Sequence, residues 1–148
     1  TMLYGHVENA DERTDHLIRL RELQNKTNGF LTFIPLAFHP ENTNLSFLQG
    51  TSGQLDLRAL AVSRLMLDNF PHVKAFWIMI TPQIAQVSLS FGTNDMDGTV
   101  VEEKIIHAAG GATGQIFHKN VIADMIVEAG RMPIERDTLY EQTHKYMV

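Results

Sequence analysis

The chain of 148 residues contains no cysteine. Without a thiol it forms no disulfide, offers no thiolate nucleophile and cannot by itself ligate an iron–sulfur cluster. It also lacks an apolar run of the roughly 18 residues that would span a bilayer, and no signal peptide opens it. We therefore expect a cytoplasmic protein that has no membrane partner.

Positive charge is scarce as well. The net charge is −5, with 12 Lys and Arg residues against 17 Asp and Glu residues, and no segment carries a stripe of cations. Because nucleic acid is bound by clustered cations, we expect no nucleic-acid partner. Apolar residues make up 44% of the chain, which is typical of an ordinary globular protein. We predict a single domain over residues 1–148, in which the tail 131–148 has little periodicity and wraps the surface or is partly disordered.

Apolar and polar runs alternate along the chain in the order expected of strand–helix units. Helices are predicted at about 10–26, 54–69, 82–91, 100–109 and 115–129, and strands at 1–4, 30–38, 73–80 and 93–96. The strands 30–38 and 73–80 are almost continuously apolar, which is typical of a parallel sheet covered on both faces. The predicted fold class is therefore α/β, with about four parallel strands and covering helices, the content of half a TIM-type (βα)8 barrel.

Several residues mark where these elements begin and end. Asn9 and Glu12 have the spacing of a helix capping box, Gly29 is a plausible helix stop, and Thr81-Pro82 is a strong helix start. Pro35 cannot donate a ladder hydrogen bond, so strand pairing should loosen there. Since Thr1 already lies within an apolar strand, we expect the chain to be a piece of a longer protein.

Polar clusters follow the apolar runs, where the working groups of βα-barrels lie. They are Gly5-His6-Val7-Glu8, His39-Pro40-Glu41-Asn42-Thr43, Thr81-Pro82 and the segment 94–99 (NDMDGT). Each alone is better explained as a turn, because Gly, Pro, Asn and Asp form turns. Four such clusters at equivalent points favour a site.

Other chemistries are weakly supported. His6 and His39 with Glu8 or Glu41 would suit zinc or iron, but no His-x-His or His-x-x-x-His spacing is present, so we expect no protein-bound metal. No Gly-x-Ser-x-Gly turn supports a hydrolase, and the segment 108–114 (AAGGATG) is typical of a hinge rather than a phosphate loop. Trp77 is expected on a strand, where it is a core residue by default; the alternative is that it lies on the face that points into the barrel, where a substrate ring could stack.

The long ordered motifs TMLYGHVENADERTDHL, FIPLAFHPENT, FWIMITPQIAQVSLSFGTNDMDGTVVEEKI and AGRMPIERDTLY together resemble the radical S-adenosylmethionine (SAM) enzymes of menaquinone and coenzyme F420 biosynthesis. The resemblance extends from Thr1 to about Tyr140. IPLAFHPENT with NDMDGTVVEEKI is most similar to the aminofutalosine synthases, whereas the dehypoxanthine futalosine cyclases and the deazaflavin-forming synthases are the alternatives. The segment 111–120 is shorter than the family pattern.

The resemblance implies that this chain is the C-terminal half of a barrel, and that its partner is a missing N-terminal half-barrel. The implied cofactors are SAM and a [4Fe–4S] cluster whose cysteine ligands are not on this chain. The implied activity is that of a transferase, in which a 5′-deoxyadenosyl radical adds to 3-[(1-carboxyvinyl)oxy]benzoate, an aromatic carboxylate, in the futalosine route. The isolated chain should be inactive.

The resemblance also implies roles for individual residues. Gly5, His6, Val7 and Glu8 match the turn that helps to hold SAM, and Phe38 would pack on adenine. His39 is the best candidate for a catalytic contact, against a role in fixing its loop. Substrate contacts are expected from the remaining strand-end residues, with Thr99 placed to bind a carboxylate: Glu41, Asn42, Thr43, Trp77, Asp97, Gly98 and Thr99.

A different class of function stays open. A half-barrel has two open sheet edges, which are templates for pairing with another chain. The alternative is therefore a binding module without enzymatic activity, which forms a homodimer through those edges.

Overall fold

The computed structural model describes residues 1–98 and 118–145. In this part of the chain, short strands alternate with helices. The strands are β1 (Met2–Tyr4), β2 (Thr32–Phe33), β3 (Pro35–Ala37), β4 (His72–Ala75), β5 (Asp95–Met96), β6 (Ile134–Arg136) and β7 (Gln142–Lys145). The α-helices are α1 (Ala10–Thr27), α2 (Gly53–Met66), α3 (Trp77–Ile80), α4 (Pro82–Ser88) and α5 (Lys119–Glu128), and one 3-10 turn covers Leu89–Phe91.

Strands β1 to β5 pair in parallel, and the segment that contains β2 and β3 lies between β1 and β4. β1 pairs with β3, placing Tyr4 opposite Ala37, while β2 pairs with β4, placing Phe33 opposite Val73. β4 then pairs with β5. Parallel strands that pair in chain order and alternate with helices are typical of βα units. The predicted α/β class with parallel strands is confirmed, whereas the half-barrel stays a prediction.

The predicted strand 30–38 is divided in two, and the parts have different neighbours. Ile34 lies between them and accepts a hydrogen bond from the Met2 N–H at 3.2 Å. Pro35 follows without an N–H group, so regular pairing is interrupted where the change of neighbour occurs. The division lets one segment join β1 on one side to β4 on the other.

Helix α1 begins with the predicted capping box. The Asn9 side chain accepts from the Asp11 and Glu12 N–H groups, and the Glu12 carboxylate accepts from the Asn9 N–H at 2.8 Å. At the other end Asn28, rather than Gly29, has the left-handed conformation that stops the helix, with φ at 47°. Asparagine tolerates this region better than most residues because its short side chain can hydrogen-bond locally.

A buried amide fixes the connection from α1 to β2. The Gln24 side chain is 2% exposed; its Nε2 donates to the Phe30 carbonyl at 3.0 Å and its Oε1 accepts from the Phe30 N–H at 2.9 Å. It also donates to the Asn69 carbonyl at 3.3 Å. One side chain therefore satisfies both backbone groups of Phe30.

The predicted strand 73–80 is wrong beyond Ala75. The segment Trp77–Ile80 forms one helical turn, in which the Phe76 carbonyl accepts from the Met79 N–H at 3.0 Å. Thr81 then starts α4 as predicted, although its φ of 74° is strained for a β-branched residue. A short apolar run has no periodicity that distinguishes a strand from a buried helical turn.

The two faces of the parallel sheet differ in character. Buried apolar side chains of one face pack with α1 and α2 in a single core: Tyr4, Leu17, Phe33, Ala37, Leu60, Val73 and Ala75. The opposite face carries His72, Lys74 and Asp95, since Lys74 pairs with Asp95 and strand residues alternate between faces. In a barrel this second face would be the interior.

The predicted irregular tail instead contains an antiparallel hairpin of β6 and β7, in which Ile134 lies opposite Lys145. The Asp137 carboxylate stabilises its turn by accepting from the Leu139 and Glu141 N–H groups. The predicted helix 100–109, the hinge 108–114 and residues 115–117 of the last predicted helix lie outside the described residues. Within the described part, no helix is long and apolar enough to cross a membrane.

Candidate functional site

The turn after β1 is organised by the carboxylate of Glu8. It accepts from the Gly5 N–H at 2.7 Å, from the His6 N–H at 2.9 Å and from the Arg13 guanidinium at 2.6 Å. Burial opposes ionisation of Glu8, but these hydrogen bonds outweigh it and lower the pKa of the carboxyl. The N–H groups of Gly5 and His6 are therefore occupied, whereas Val7 at the tip of the turn is exposed.

Gly5 is required by its surroundings. Its φ is 87°, and a Cβ built on it would lie 2.2 Å from the Thr51 Cγ2 atom. Only glycine combines this backbone conformation with so close an approach. The turn therefore packs directly on Thr51, which precedes Ser52, the N-cap residue of α2.

Beneath this turn, Tyr4 is hydrogen-bonded to the buried carboxyl of Asp56, which also interacts electrostatically with His39. The Tyr4 hydroxyl donates to Asp56 at 2.7 Å, and Thr51 donates to the same carboxyl. Burial raises the pKa of Asp56, and the bonds from Tyr4 and Thr51 and the charge of His39 only partly offset it. The same burial, together with the charge of Asp56, raises the pKa of Tyr4.

The ring of His39 is oriented by the chain. Its Nε2 lies 3.0 Å from the Met79 carbonyl oxygen, which can only accept, so Nε2 carries the hydrogen. Its Nδ1 is then the atom with a lone pair in the neutral ring. The structure shows the loop-fixing contact that was weighed against catalysis, and it leaves the catalytic role a prediction.

The loop after His39 is held by Thr43. Its Oγ1 donates to the Pro40 carbonyl at 2.7 Å and accepts from the Leu45 N–H at 3.1 Å. The Thr43 hydroxyl is thus used within the loop, while Glu41 and Asn42 are exposed. Phe38, just before this loop, packs edge to face against the His6 ring, with 5.8 Å between the ring centroids.

A second group of site residues lies at the end of β5. The Trp77 indole donates to the Asp97 carbonyl at 3.1 Å, and the Lys74 ammonium donates to the Asp97 carboxylate at 2.9 Å. The other carboxylate oxygen of Asp97 is buried without a hydrogen-bond partner in the described part of the chain. Burial raises the pKa of Asp97, opposed by Lys74. Gly98 is exposed, and Thr99 lies outside the described residues.

Asp95 connects this group of residues to the hairpin. Arg136 forms a two-pronged pair with its carboxylate at 3.0 and 2.8 Å, and the Tyr140 hydroxyl donates to it at 2.7 Å. Tyr140 also stacks on His72 with 4.2 Å between ring centroids. Burial is the main reason that the pKa of Tyr140 rises to about 12. Lys74 lies 3.6 Å from Asp95, so it contacts both carboxylates.

Sequence reasoning missed Lys74, Arg136 and Tyr140, and it included Asp95 in the polar cluster 94–99 without giving it a role. Charged residues within or next to strands at widely separated positions give no local pattern, so their pairing is visible only in the fold. The one available signal was the alternation of charge in VKA and NDMD on neighbouring predicted strands. Lys74, Asp95 and Arg136 line a cleft of about 730 Å³ between β5, α5 and the hairpin.

The described residues fit the two implied cofactors differently. With no cysteine in the sequence, the chain offers no thiolate for a [4Fe–4S] cluster, and the described part contains no cluster of three His, Asp or Glu side chains suited to a metal. The adenosyl part of SAM fits better. Half-buried Phe38 offers an apolar ring beside the glycine turn, against which an adenine ring could pack.

Comparisons with known proteins agree on the family. A family profile for the CofH/MqnC C-terminal region matches residues 27–147. The chain is 53% identical over 146 residues to the aminodeoxyfutalosine synthase of Thermus thermophilus, which covers 96% of this chain and 39% of that protein. It is 43% identical to the enzyme of the same name from Streptomyces coelicolor, over 99% of this chain and 41% of that protein.

A related activity appears at lower identity. The 5-amino-6-(D-ribitylamino)uracil–L-tyrosine 4-hydroxyphenyl transferase of Methanococcus maripaludis is 40% identical over 95% of this chain and 41% of its own length. The chain thus spans about two fifths of the length of the curated relatives it matches. Because the profile matches most of its residues, the chain belongs to the CofH/MqnC C-terminal region family.

Proposed function

We propose that this chain is the C-terminal half of the barrel of a radical SAM aminodeoxyfutalosine synthase. The observation that carries the proposal is the high identity to one of the two synthases. Identity is 53% to the Thermus thermophilus aminodeoxyfutalosine synthase and 40% to the Methanococcus maripaludis hydroxyphenyl transferase, over nearly the same residues. The reaction proposed is the addition of a 5′-deoxyadenosyl group to 3-[(1-carboxyvinyl)oxy]benzoate.

The geometry supports a ligand-binding role at the strand ends. Two groups of side chains lie there: the turn 5–8 with Phe38 and His39, and Asp97 with Trp77. When bound, the cluster and SAM supply the radical, and the residues of this chain position the reactants and exclude water. We propose that the turn 5–8 and Phe38 hold the adenosyl group, and that His39 contacts the reacting ligand through Nδ1.

The remaining predicted substrate contacts are also proposals, and the observations support some of them better than others. Glu41 and Asn42 are exposed in the loop after β3, where a substrate or the other half of the barrel would reach them. Thr43 supports that loop through its own hydrogen bonds. Gly98 is exposed beside Asp97, and Thr99 is proposed as a carboxylate contact from the family resemblance alone.

The missing half of the barrel is the proposed partner. β1 and β5 have one described parallel neighbour each, and unpaired strand edges favour pairing with a further strand. The N-terminal half would bring the cluster ligands that this chain lacks. A homodimer through the same edges is the competing arrangement, and sizing of the full-length protein distinguishes the two.

The test is the product formed by the full-length protein. After anaerobic reconstitution with iron and sulfide, it should convert SAM and 3-[(1-carboxyvinyl)oxy]benzoate to aminofutalosine, detected by mass spectrometry. The matched control is the same protein with its cluster-binding cysteines changed to alanine, which should give no product. Formation of the cyclic futalosine product or of a deazaflavin precursor instead would assign a different member of the family.

A further inference from the structure

Charged and polar side chains at the polar face of the sheet form one connected line of hydrogen bonds and ion pairs. It runs from Arg136 and Tyr140 in the hairpin through Asp95 and Lys74 to Asp97. Asp95 and Lys74 are each 9% exposed, so this is a buried network rather than a solvated surface. Buried charges are costly unless they are paired, and a network of this kind fixes the positions of its members.

Within the line, Asp95 has three partners and Asp97 has one. Arg136 donates two hydrogen bonds to the Asp95 carboxylate and neutralises its charge, and the Tyr140 hydroxyl donates a third. Lys74 lies closer to Asp97, at 2.9 Å, than to Asp95, at 3.6 Å. The hairpin therefore satisfies Asp95 and leaves Lys74 to neutralise Asp97.

Asp97 retains one buried oxygen that accepts no hydrogen bond among the described residues. Its backbone carbonyl is already fixed by Trp77, so the carboxyl group is held from two sides. A buried acceptor without a donor is destabilising, and such groups in native proteins usually receive a hydrogen bond from a ligand or a water molecule. An ionised carboxylate accepts only, so its ligand must bring a hydroxyl or ammonium group.

We propose that Lys74 is a positioning residue that keeps Asp97 ionised, with one oxygen turned to accept a hydrogen bond from a hydroxyl or ammonium group of SAM. This inference rests on the proposed function. Of its two reactants, only SAM carries such donors, in its ribose hydroxyls and its amino group. The dicarboxylate substrate has none when ionised, and Asp97 would repel it.

The direct test measures binding of SAM to the full-length, cluster-loaded protein without turnover, by equilibrium dialysis. Asp97→Asn should weaken SAM binding about tenfold or more and change binding of 3-[(1-carboxyvinyl)oxy]benzoate less than about twofold. Asp124→Asn, at an exposed position of α5, is the matched control and should change neither. An Asp97→Asn variant that loses affinity for the dicarboxylate, or that binds both ligands normally, overturns the proposal.

The role of Lys74 is tested by the pH dependence of SAM binding. Among the described residues, the charged groups that face Asp97 are Lys74 on β4, Asp95 on β5 and Arg136 on the hairpin. Without the ammonium group, Asp97 should take up its proton at higher pH, so Lys74→Met should shift the acid-side loss of affinity to higher pH. Lys74→Arg should restore the wild-type profile, and Lys119→Met, an exposed control, should not alter it.

A purely structural role would give a different result. It would lower stability in Lys74→Met without moving the pH profile, and that outcome contradicts the proposal. Arg136→Met should shift the profile in the same direction, because Asp95 would then compete for Lys74. Normal SAM binding with an unexpected product overturns the proposed function alone, while a wild type that does not bind SAM overturns both.

Discussion

Tyr4 donates its phenolic hydrogen to Asp56 across 2.7 Å, and the two side chains are 0% and 4% exposed. This bond joins the last residue of β1 to the first turns of α2. It lies directly beneath the glycine turn, so the position of the proposed SAM-binding turn depends on a carboxyl group in the core.

The first prediction concerns the pH dependence of stability. Because burial raises the pKa of Asp56 in the folded state, the folded protein binds this proton more tightly than the unfolded chain. The stabilisation that comes from protonated Asp56 is therefore complete below the unfolded pKa of about 3.9, and it is lost as pH rises through the pKa of the folded state. Asp56→Asn removes this dependence while keeping an acceptor for Tyr4.

Urea unfolding between pH 4 and 8 checks it. The stability of Asp56→Asn relative to the wild type should increase with pH, with a slope no steeper than about 1.4 kcal/mol per pH unit. The free energy of unfolding of Asp124→Asn, a change at an exposed position, should depend on pH in the same way as that of the wild type. Parallel profiles for Asp56→Asn as well would show that the carboxyl is not perturbed.

The second prediction concerns the contact between Gly5 and Thr51. Gly5→Ala should destabilise the protein by about 2–4 kcal/mol, because it adds both a clash and a strained φ. Thr51→Ser removes the clashing methyl group and keeps the hydroxyl that reaches Asp56. The double variant should recover the steric part and retain a loss of about 1–2 kcal/mol from backbone strain. Additive losses in a double-mutant cycle by thermal unfolding would refute the contact.

The third prediction concerns Glu8. Replacing it by Gln removes a charged acceptor of three hydrogen bonds and should cost about 1.5–3 kcal/mol at neutral pH. Since the folded pKa is lowered, the wild-type advantage is present above the unfolded pKa of about 4.3 and disappears as pH falls through the folded value. Guanidinium unfolding at pH 7 and pH 3 measures it, with the exposed Glu22→Gln as control. An equal loss at both pH values would contradict the role of the charge.

The fourth prediction concerns Gln24. Gln24→Met fills a similar volume but leaves the N–H and carbonyl of Phe30 without their partner, so a loss of about 2–4 kcal/mol is expected. The exposed Gln54→Met should change the free energy of unfolding by less than about 0.5 kcal/mol. Amide hydrogen exchange offers a local readout, since the Phe30 amide should lose its protection in the first variant only.

Local signals predicted the features that depend on neighbouring residues. The capping box of Asn9 and Glu12 and the helix start at Thr81-Pro82 are both present. Each is fixed by hydrogen bonds that span three residues, so the sequence contains all the information required. The parallel arrangement was predictable from the order of the elements, because apolar runs alternate with helical segments along the chain.

The wrong predictions depended on tertiary contacts. Trp77 lies in a helical turn because its indole reaches the Asp97 carbonyl, 20 residues away, a partner that an apolar run does not reveal. The hairpin of the tail was missed because its anchors, Arg136 and Tyr140, bond to Asp95. A turn signal was present at Asp137, whose carboxylate accepts from two N–H groups of the turn, but the exposed strands beside it have no apolar alternation.

The hairpin also imposes an order on assembly. Arg136 and Tyr140 follow Asp95 by 41 and 45 residues, so during synthesis the ribosome releases the acid well before the groups that neutralise it. Until then a lysine and two aspartates share the face of the nascent sheet, and solvent has to keep them hydrated. The buried pairing of Asp95 is therefore complete only once residues 131–145 have been made.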